Sequence, residues 1–285
     1  MGVTIDAIFG ILSFGSIIVL VVLGLGVIVS MMGIFNFAHG EFVLLGAYTA
    51  YLFDSWGLPV LLGMIVAPFV VGLIGVALER IVIRHFYAVP VAAMLGTYAI
   101  GLAIREAIRG LIGGLYRKVP EPLVGSFVLG DVSLPRWRVA IILVTIVVMV
   151  GSYLLLTRTM LGLRVRAALE NPALARASGI STNRMYALTF AFGAALAGLA
   201  GALMVPLFSL YADLGLRFLI QGFLSVMLGG VGTFEGPVLG AGIVGVMTAS
   251  FPWALNPVLA DIMVFVIAIL IVKMKPAGLL SKERS

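Results

Sequence analysis

Ile17-Ile18-Val19-Leu20-Val21-Val22-Leu23-Gly24-Leu25-Gly26-Val27-Ile28 carries no polar side chain, and Ala140–Val150 repeats the pattern with Thr145 as its one hydroxyl. A strand of a membrane barrel alternates apolar and polar residues. These runs do not alternate, so they read as helices. The surrounding 285 residues are 62% hydrophobic and 11% charged, with a mean hydropathy of +1.22. Soluble domains are roughly half apolar, so lipid is the expected solvent. In lipid the backbone must satisfy its own hydrogen bonds, which leaves helices or closed barrels. The predicted fold class is all-α: a polytopic integral membrane helical bundle of about 8–10 transmembrane segments, some short or discontinuous.

A spanning helix needs about 20 apolar residues. On that ruler nine segments lie near 9–32, 36–53, 58–83, 90–110, 139–157, 186–212, 217–231, 237–252 and 257–273. They form one transmembrane domain, 1–285, with two long polar connections at 111–138 and 158–185. The second holds Arg158, Arg164, Arg166, Arg176 and Arg184 against Glu170, and the tail holds Lys273, Lys275, Lys282 and Arg284 against Glu283. Short loops rich in Lys and Arg stay in the cytoplasm, so both belong there. Nine spans then place the amino terminus and the 111–138 loop outside. That loop obeys the rule weakly, since it carries Arg117, Lys118, Arg136 and Arg138 beside Glu121 and Asp131. Within it, Val124–Leu129 and Val132–Leu134 could pair as a hairpin around Gly130-Asp131. The net charge of +6 thus reads as topology, not as nucleic-acid binding. The amino terminus has no basic n-region of a cleaved signal, so the first apolar run is expected to remain.

Chemistry concentrates in Asn36-Phe37-Ala38-His39-Gly40-Glu41-Phe42. Ionisable groups at membrane depth are costly and usually functional. Asn36 suits an N-cap, and the positive end of a half-helix could face a substrate carboxylate. A first helix over 9–32 is long enough to cross most of a bilayer at ~1.5 Å per residue, which sets the stretch near the cytoplasmic mouth. Asn36, His39 and Glu41 are candidates for a substrate path or gate, and equally for a hydrogen-bonded joint. His39 and Glu41 lie two apart, so on a helix they face different ways and make a poor joint metal or acid–base site. Gln221 is a further pathway candidate. Leu228–Pro237, with Gly229 and Gly230, breaks two short apolar segments; it either lines a cavity or is a plain surface turn.

Asn171–Gly179 reads as a short, fully punctuated helix. Asn171 suits the N-cap, Pro172 the first helical position and Gly179 the left-handed C′ position, with Glu170 favouring the helix dipole. A helix so short is marginal alone, so it docks on a protein or lies on lipid. Small residues four apart, Gly193, Ala197 and Gly201 beside Ala194, Gly198 and Ala202, allow close helix packing. With no cysteine in the chain, thiol catalysis and Cys-based zinc sites are excluded. No phosphate loop, H-E-x-x-H or G-x-S-x-G motif occurs. No catalytic or metal-ligating residue is assigned, and the chain is not expected to be an enzyme.

Asn36-Phe37-Ala38-His39-Gly40-Glu41 followed by Leu45-Gly46-Ala47-Tyr48 resembles the signature of the permease subunits of branched-chain amino acid ABC importers. The resemblance continues through Glu170-Asn171-Pro172, Ala177, Gly179 and Ile180, then Gly193–Pro206. It resumes at Val226–Thr233, Gly236–Gly240 and Lys275-Pro276-Ala277-Gly278-Leu279. It implies a subunit of the bacterial cytoplasmic (inner) membrane that pairs with a second, similar permease. Two cytoplasmic ATPases, which would hold ATP and Mg, and an extracytoplasmic binding protein would complete the importer; this chain would hold no cofactor itself. Asn171–Gly179, with Arg176, becomes the coupling helix, although the general ABC-permease loop spaces its Glu and Gly more closely than Glu170 and Gly179. Alternating access moving branched-chain or other hydrophobic amino acids is the expected activity. Related permeases that import urea or short-chain amides share these motifs. A stand-alone channel or secondary transporter would leave the capped hook without a partner.

Overall fold

The computed structural model describes residues 2–87, 89–130 and 132–280. Helices α1 (Gly2–Met32), α2 (His39–Ser55), α3 (Val60–Ile81) and α4 (Pro90–Ile112) form the first half. A hairpin of β1 (Ser126–Leu129) and β2 (Val132–Pro135) leads into α5 (Arg136–Arg158), α6 (Met160–Glu170) and α7 (Pro172–Ala177). Helices α8 (Thr182–Met204), α9 (Leu214–Gly229), α10 (Glu235–Ser250) and α11 (Pro257–Met274) complete it. The bundle is all-α apart from that hairpin, as the hydropathy requires.

Among the described residues seven helices are long and apolar enough to cross a membrane: α1, α3, α4, α5, α8, α10 with the turn extending it to Trp253, and α11. Helices α2 and α9 have only 17 and 16 residues, about 25 Å of rise against a core of about 30 Å. All nine expected segments are therefore helical, and two fall short of spanning. The segment expected over 186–212 instead runs 182–204. Pro206 ends it, because proline lacks the N–H that the next turn needs. The expected hairpin forms, with Ser126 opposite Pro135 and Leu129 opposite Val132. Its tip residue Asp131 and the tail residues Lys282, Glu283 and Arg284 lie outside the described residues.

Helix α8 is the spine. Gly193 meets Ile28 and the Gly24 carbonyl of α1, and Gly201 meets the Val43 backbone of α2. On its other face Ala194 meets Gly75, and Gly198 meets Val71, both of α3. A Cβ at Gly193, Gly198 or Gly201 would collide with these atoms, so the small stripes exist to let backbones approach. Ala197 is fully buried in the same contact. By contrast α4, α5 and α11 bury about a fifth of their apolar windows and ring the core.

Contacts also fix direction. Ile28 and Gly24 meet Gly193 and Ala197 in reverse order, so α1 and α8 are antiparallel. The end of α3 lies beside the start of α8, where Glu79, Arg80 and Arg84 share a cleft with Ser181, Asn183 and Arg184. Leu279 and Leu280 donate their N–H groups to the Leu228 and Gly229 carbonyls, which puts the carboxyl-terminal segment at this same Arg-rich end. Arg117 pairs with Leu210 at the opposite end. The 111–138 and 158–185 loops therefore lie at opposite ends of the bundle.

Candidate functional site

Gly33, with φ +66°, turns the chain back after α1. The following residues then run inward, because His39 Nε2 donates to the Val21 carbonyl at 2.9 Å, eleven residues before the end of α1. Helix α2 therefore starts in the interior of the bundle. Asn36 is not its N-cap. The helix begins at His39, its capping position is Ala38, and no side chain caps it. Asn36 Oδ1 instead accepts from the Ala38 N–H at 3.0 Å, a local Asx turn that competes with capping.

Asn36, His39 and Glu41 are all fully buried. His39 faces α1, and Glu41 faces α4, as their two-residue spacing requires. Arg105 Nε donates to Glu41 Oε1 at 2.9 Å, and a second guanidinium nitrogen donates to the same oxygen. One face of α4 serves the whole stretch at a four-residue repeat. Thr97 Oγ1 accepts from the Phe37 N–H at 3.0 Å, and Gly101 lets Ala38 approach to 3.4 Å of where its Cβ would sit. Next come Arg105 and then Arg109, which holds both Asp213 oxygens at 2.9 Å. The result is a polar seam joining α1, α2, α4 and the start of α9, buried at Asn36, His39 and Glu41 and reaching the half-exposed pair of Arg109 and Asp213 at its far end.

Arg105, Arg109 and Asp213 were not among the residues singled out in the sequence. The signal was present: three ionised groups, Arg105, Glu106 and Arg109, inside one apolar segment. The remaining candidates do not join this seam. Gln221 is buried on α9 with its Oε1 unpartnered among the described residues. Gly229 and Gly230 lie at the far end of α9, where Gly229 packs on Gly236 and Gly230 on Gly278. The Leu228–Pro237 break is therefore at one end of the bundle, and Gly232–Glu235 line a cavity there.

At that same end stands the α6–α7 hook. Asn171 Oδ1 accepts from the Leu174 N–H at 3.0 Å, with Pro172 at the first helical position. Ile180 N–H reaches the Ala175 carbonyl and Gly179 N–H the Arg176 carbonyl, while Gly179 has φ +78°. These two bonds are the Schellman pattern. Ala175 is buried against the bundle, while Leu174 is 63% exposed and Arg176 and Glu170 face outward. Six residues hold their shape through both caps and present an apolar tip.

The family profile described as branched-chain amino acid transport system / permease component matches residues 7–272. The chain is 28% identical to the high-affinity branched-chain amino acid transport system permease protein BraD of Pseudomonas aeruginosa, over 95% of this chain and 94% of that protein. It is 25% identical to the LivH permease of Escherichia coli over 95% of this chain and 93% of that one. With a probable LivH permease of Methanocaldococcus jannaschii it shares 30% identity over 83% and 78%. No solved structure matches the chain. These relatives are transport subunits, not enzymes. A match over nearly the whole chain, carried by a multi-pass helical bundle, shows that this protein belongs to the ABC-importer permease family of branched-chain amino acid transport systems.

Proposed function

We propose that the chain is the membrane-spanning half of an ATP-driven importer that moves branched-chain or other hydrophobic amino acids by alternating access. The observation that carries this reading is the self-capped α7 hook, exposed at the Arg-rich end of a chain whose relatives are named as branched-chain amino acid permeases. A rigid six-residue helix with one exposed leucine is suited to a groove on a cytoplasmic ATPase. Membership of the family implies ATPase and binding-protein partners. In our reading Glu170, Asn171, Pro172, Arg176 and Gly179 couple to two such ATPases, which hold ATP and Mg. A homologous permease completes a heterodimer in the inner membrane, and an extracytoplasmic protein delivers the substrate. The seam at Asn36, His39 and Glu41 acts as the joint about which α2 and α4 move together.

Co-expression with candidate ATPases tests this. The complex should purify stoichiometrically and fall apart when Pro172–Ser178 is replaced by a flexible linker. Proteoliposomes carrying the complete importer should accumulate leucine in an ATP-dependent way. Uptake of urea without leucine would assign the cargo to short amides, and undiminished flux from this chain alone would refute the importer reading.

A further inference from the structure

At the Arg-rich end, a cavity of about 340 Å³ opens between α1, the end of α5, α6 and the α9–α10 connection. That volume falls within the roughly 300–1,000 Å³ of small-molecule sites. Its charged groups have opposite signs: Arg166 from α6 and Glu235 from the start of α10. Among the described residues they form no ion pair with each other or with anything else. Arg166 donates one long bond of 3.4 Å to the Thr157 carbonyl, while its Nε is buried without a partner. Ser30 Oγ is buried and unpartnered in the same wall. Buried donors without acceptors are rare and costly. The rest of the wall includes Val27, Met31, Leu156 and Phe234.

A cation, an anion, an orphan hydroxyl and an apolar wall in one small cavity complement a molecule bearing both charges and a hydrocarbon side chain. We infer that this cavity is a cytoplasmic-side subsite for a free α-amino acid, with the carboxylate on Arg166 and the ammonium on Glu235. The inference rests on the amino-acid reading above and adds to it the place where cargo leaves. It also assigns a role to Leu228–Pro237: Gly230 and Gly232, each with φ +94°, fold the connection so that Thr233 and Glu235 reach the mouth. Arg166 lies on the helix that ends at Glu170 and leads directly into the hook at Asn171.

Equilibrium binding to the permease–ATPase complex, without the binding protein, tests the subsite with three probes. Leucine carries both charges, leucinamide lacks the carboxylate, and 4-methylpentanoate lacks the ammonium. The wild-type complex should bind leucine about tenfold or more above either analogue, the loss expected for one charged hydrogen bond. Arg166→Gln should bring leucine down to the level of leucinamide and leave the preference over 4-methylpentanoate intact. Glu235→Gln should do the reverse, and Arg166→Lys should recover part of the loss. A variant that merely misfolds would lower all three probes together. Wild-type discrimination retained in both glutamine variants overturns the subsite, as does absence of leucine binding in a complex that transports leucine. A wild-type importer that transports no branched-chain amino acid overturns the cargo reading itself, so the two failures are told apart.

Discussion

Replacing Arg105 by methionine removes the one partner, among the described residues, of a fully buried carboxylate. Glu41 has no exposure, and its second oxygen has no hydrogen-bond partner among the described residues. Breaking a buried ion pair from one side costs about 3–5 kcal/mol, because an uncompensated charge stays behind. The reverse substitution is milder. Glu41→Leu leaves Arg105 with 11% side-chain exposure and with Asp213 Oδ1 at 4.0 Å, so its charge keeps a carboxylate and some water. We expect about 1–2 kcal/mol for that change, within the ordinary range for single substitutions. The double variant Glu41→Leu/Arg105→Met removes both charges and should cost about as little as Glu41→Leu, since apolar replacement of a buried pair is often close to neutral. Unfolding of purified protein in detergent, followed as a double-mutant cycle, should therefore give a coupling of at least about 2 kcal/mol and a clear asymmetry between the single variants. Equal single costs, or additivity within about 0.5 kcal/mol, would refute the assignment of this pair as a sealed joint.

Three further outcomes follow from named contacts. His39→Ala withdraws the donor to Val21 and should cost about 1–3 kcal/mol; leucine uptake should fall while the ATPases still co-purify, and normal uptake would confine His39 to packing. Gly46→Ala places a Cβ against the Gly198 backbone of α8, where neither chain can yield. Overpacking of this kind costs about 1–3 kcal/mol and should lower the apparent Tm, whereas Gly151→Ala, which meets open space, should not. Gly179→Ala forces a side chain into the left-handed region at about 1–2 kcal/mol. Asn171→Ala removes the cap at about 1 kcal/mol. Both costs fall on the exposed hook and not on the packed bundle, so each should weaken ATPase co-purification while leaving the Tm of the permease alone nearly unchanged, and undiminished assembly in both would show that the hook is not the docking element.

Helices and caps were legible because their causes are local. Nine apolar runs gave nine helices, and Asn171, Pro172 and Gly179 each sit where their own backbone chemistry puts them. Lengths were less legible, since Pro206 stops α8 and Gly33 lets the chain double back before α2. Asn36 looked like a cap, yet its own Asx turn moved the helix start to His39. The partner of Glu41 could not be read at all from its neighbourhood, because Arg105 is 64 positions away and only packing of α4 on α2 brings it near. The four-residue repeat of Thr97, Gly101, Arg105 and Arg109 was the trace of that packing. It was hidden in a segment whose apolar content drew attention to its lipid face.

The short, inward-starting α2 has a consequence for how the protein is made. Its seat on Gly198 is synthesised 152 positions after Gly46 (198 minus 46). At about 5–20 residues per second, a ribosome needs roughly 8 to 30 s to supply it. During that delay α2 is too short to span the bilayer unaided and carries a carboxylate whose arginine emerges first, with α4. The order of synthesis predicts insertion in two stages, with the ion pair neutralising Glu41 early and α8 fixing the helix late. A nascent chain stopped before Thr182 should hold α2 in a position that surveillance proteases can reach, which makes synthesis of the second half the step that commits the first.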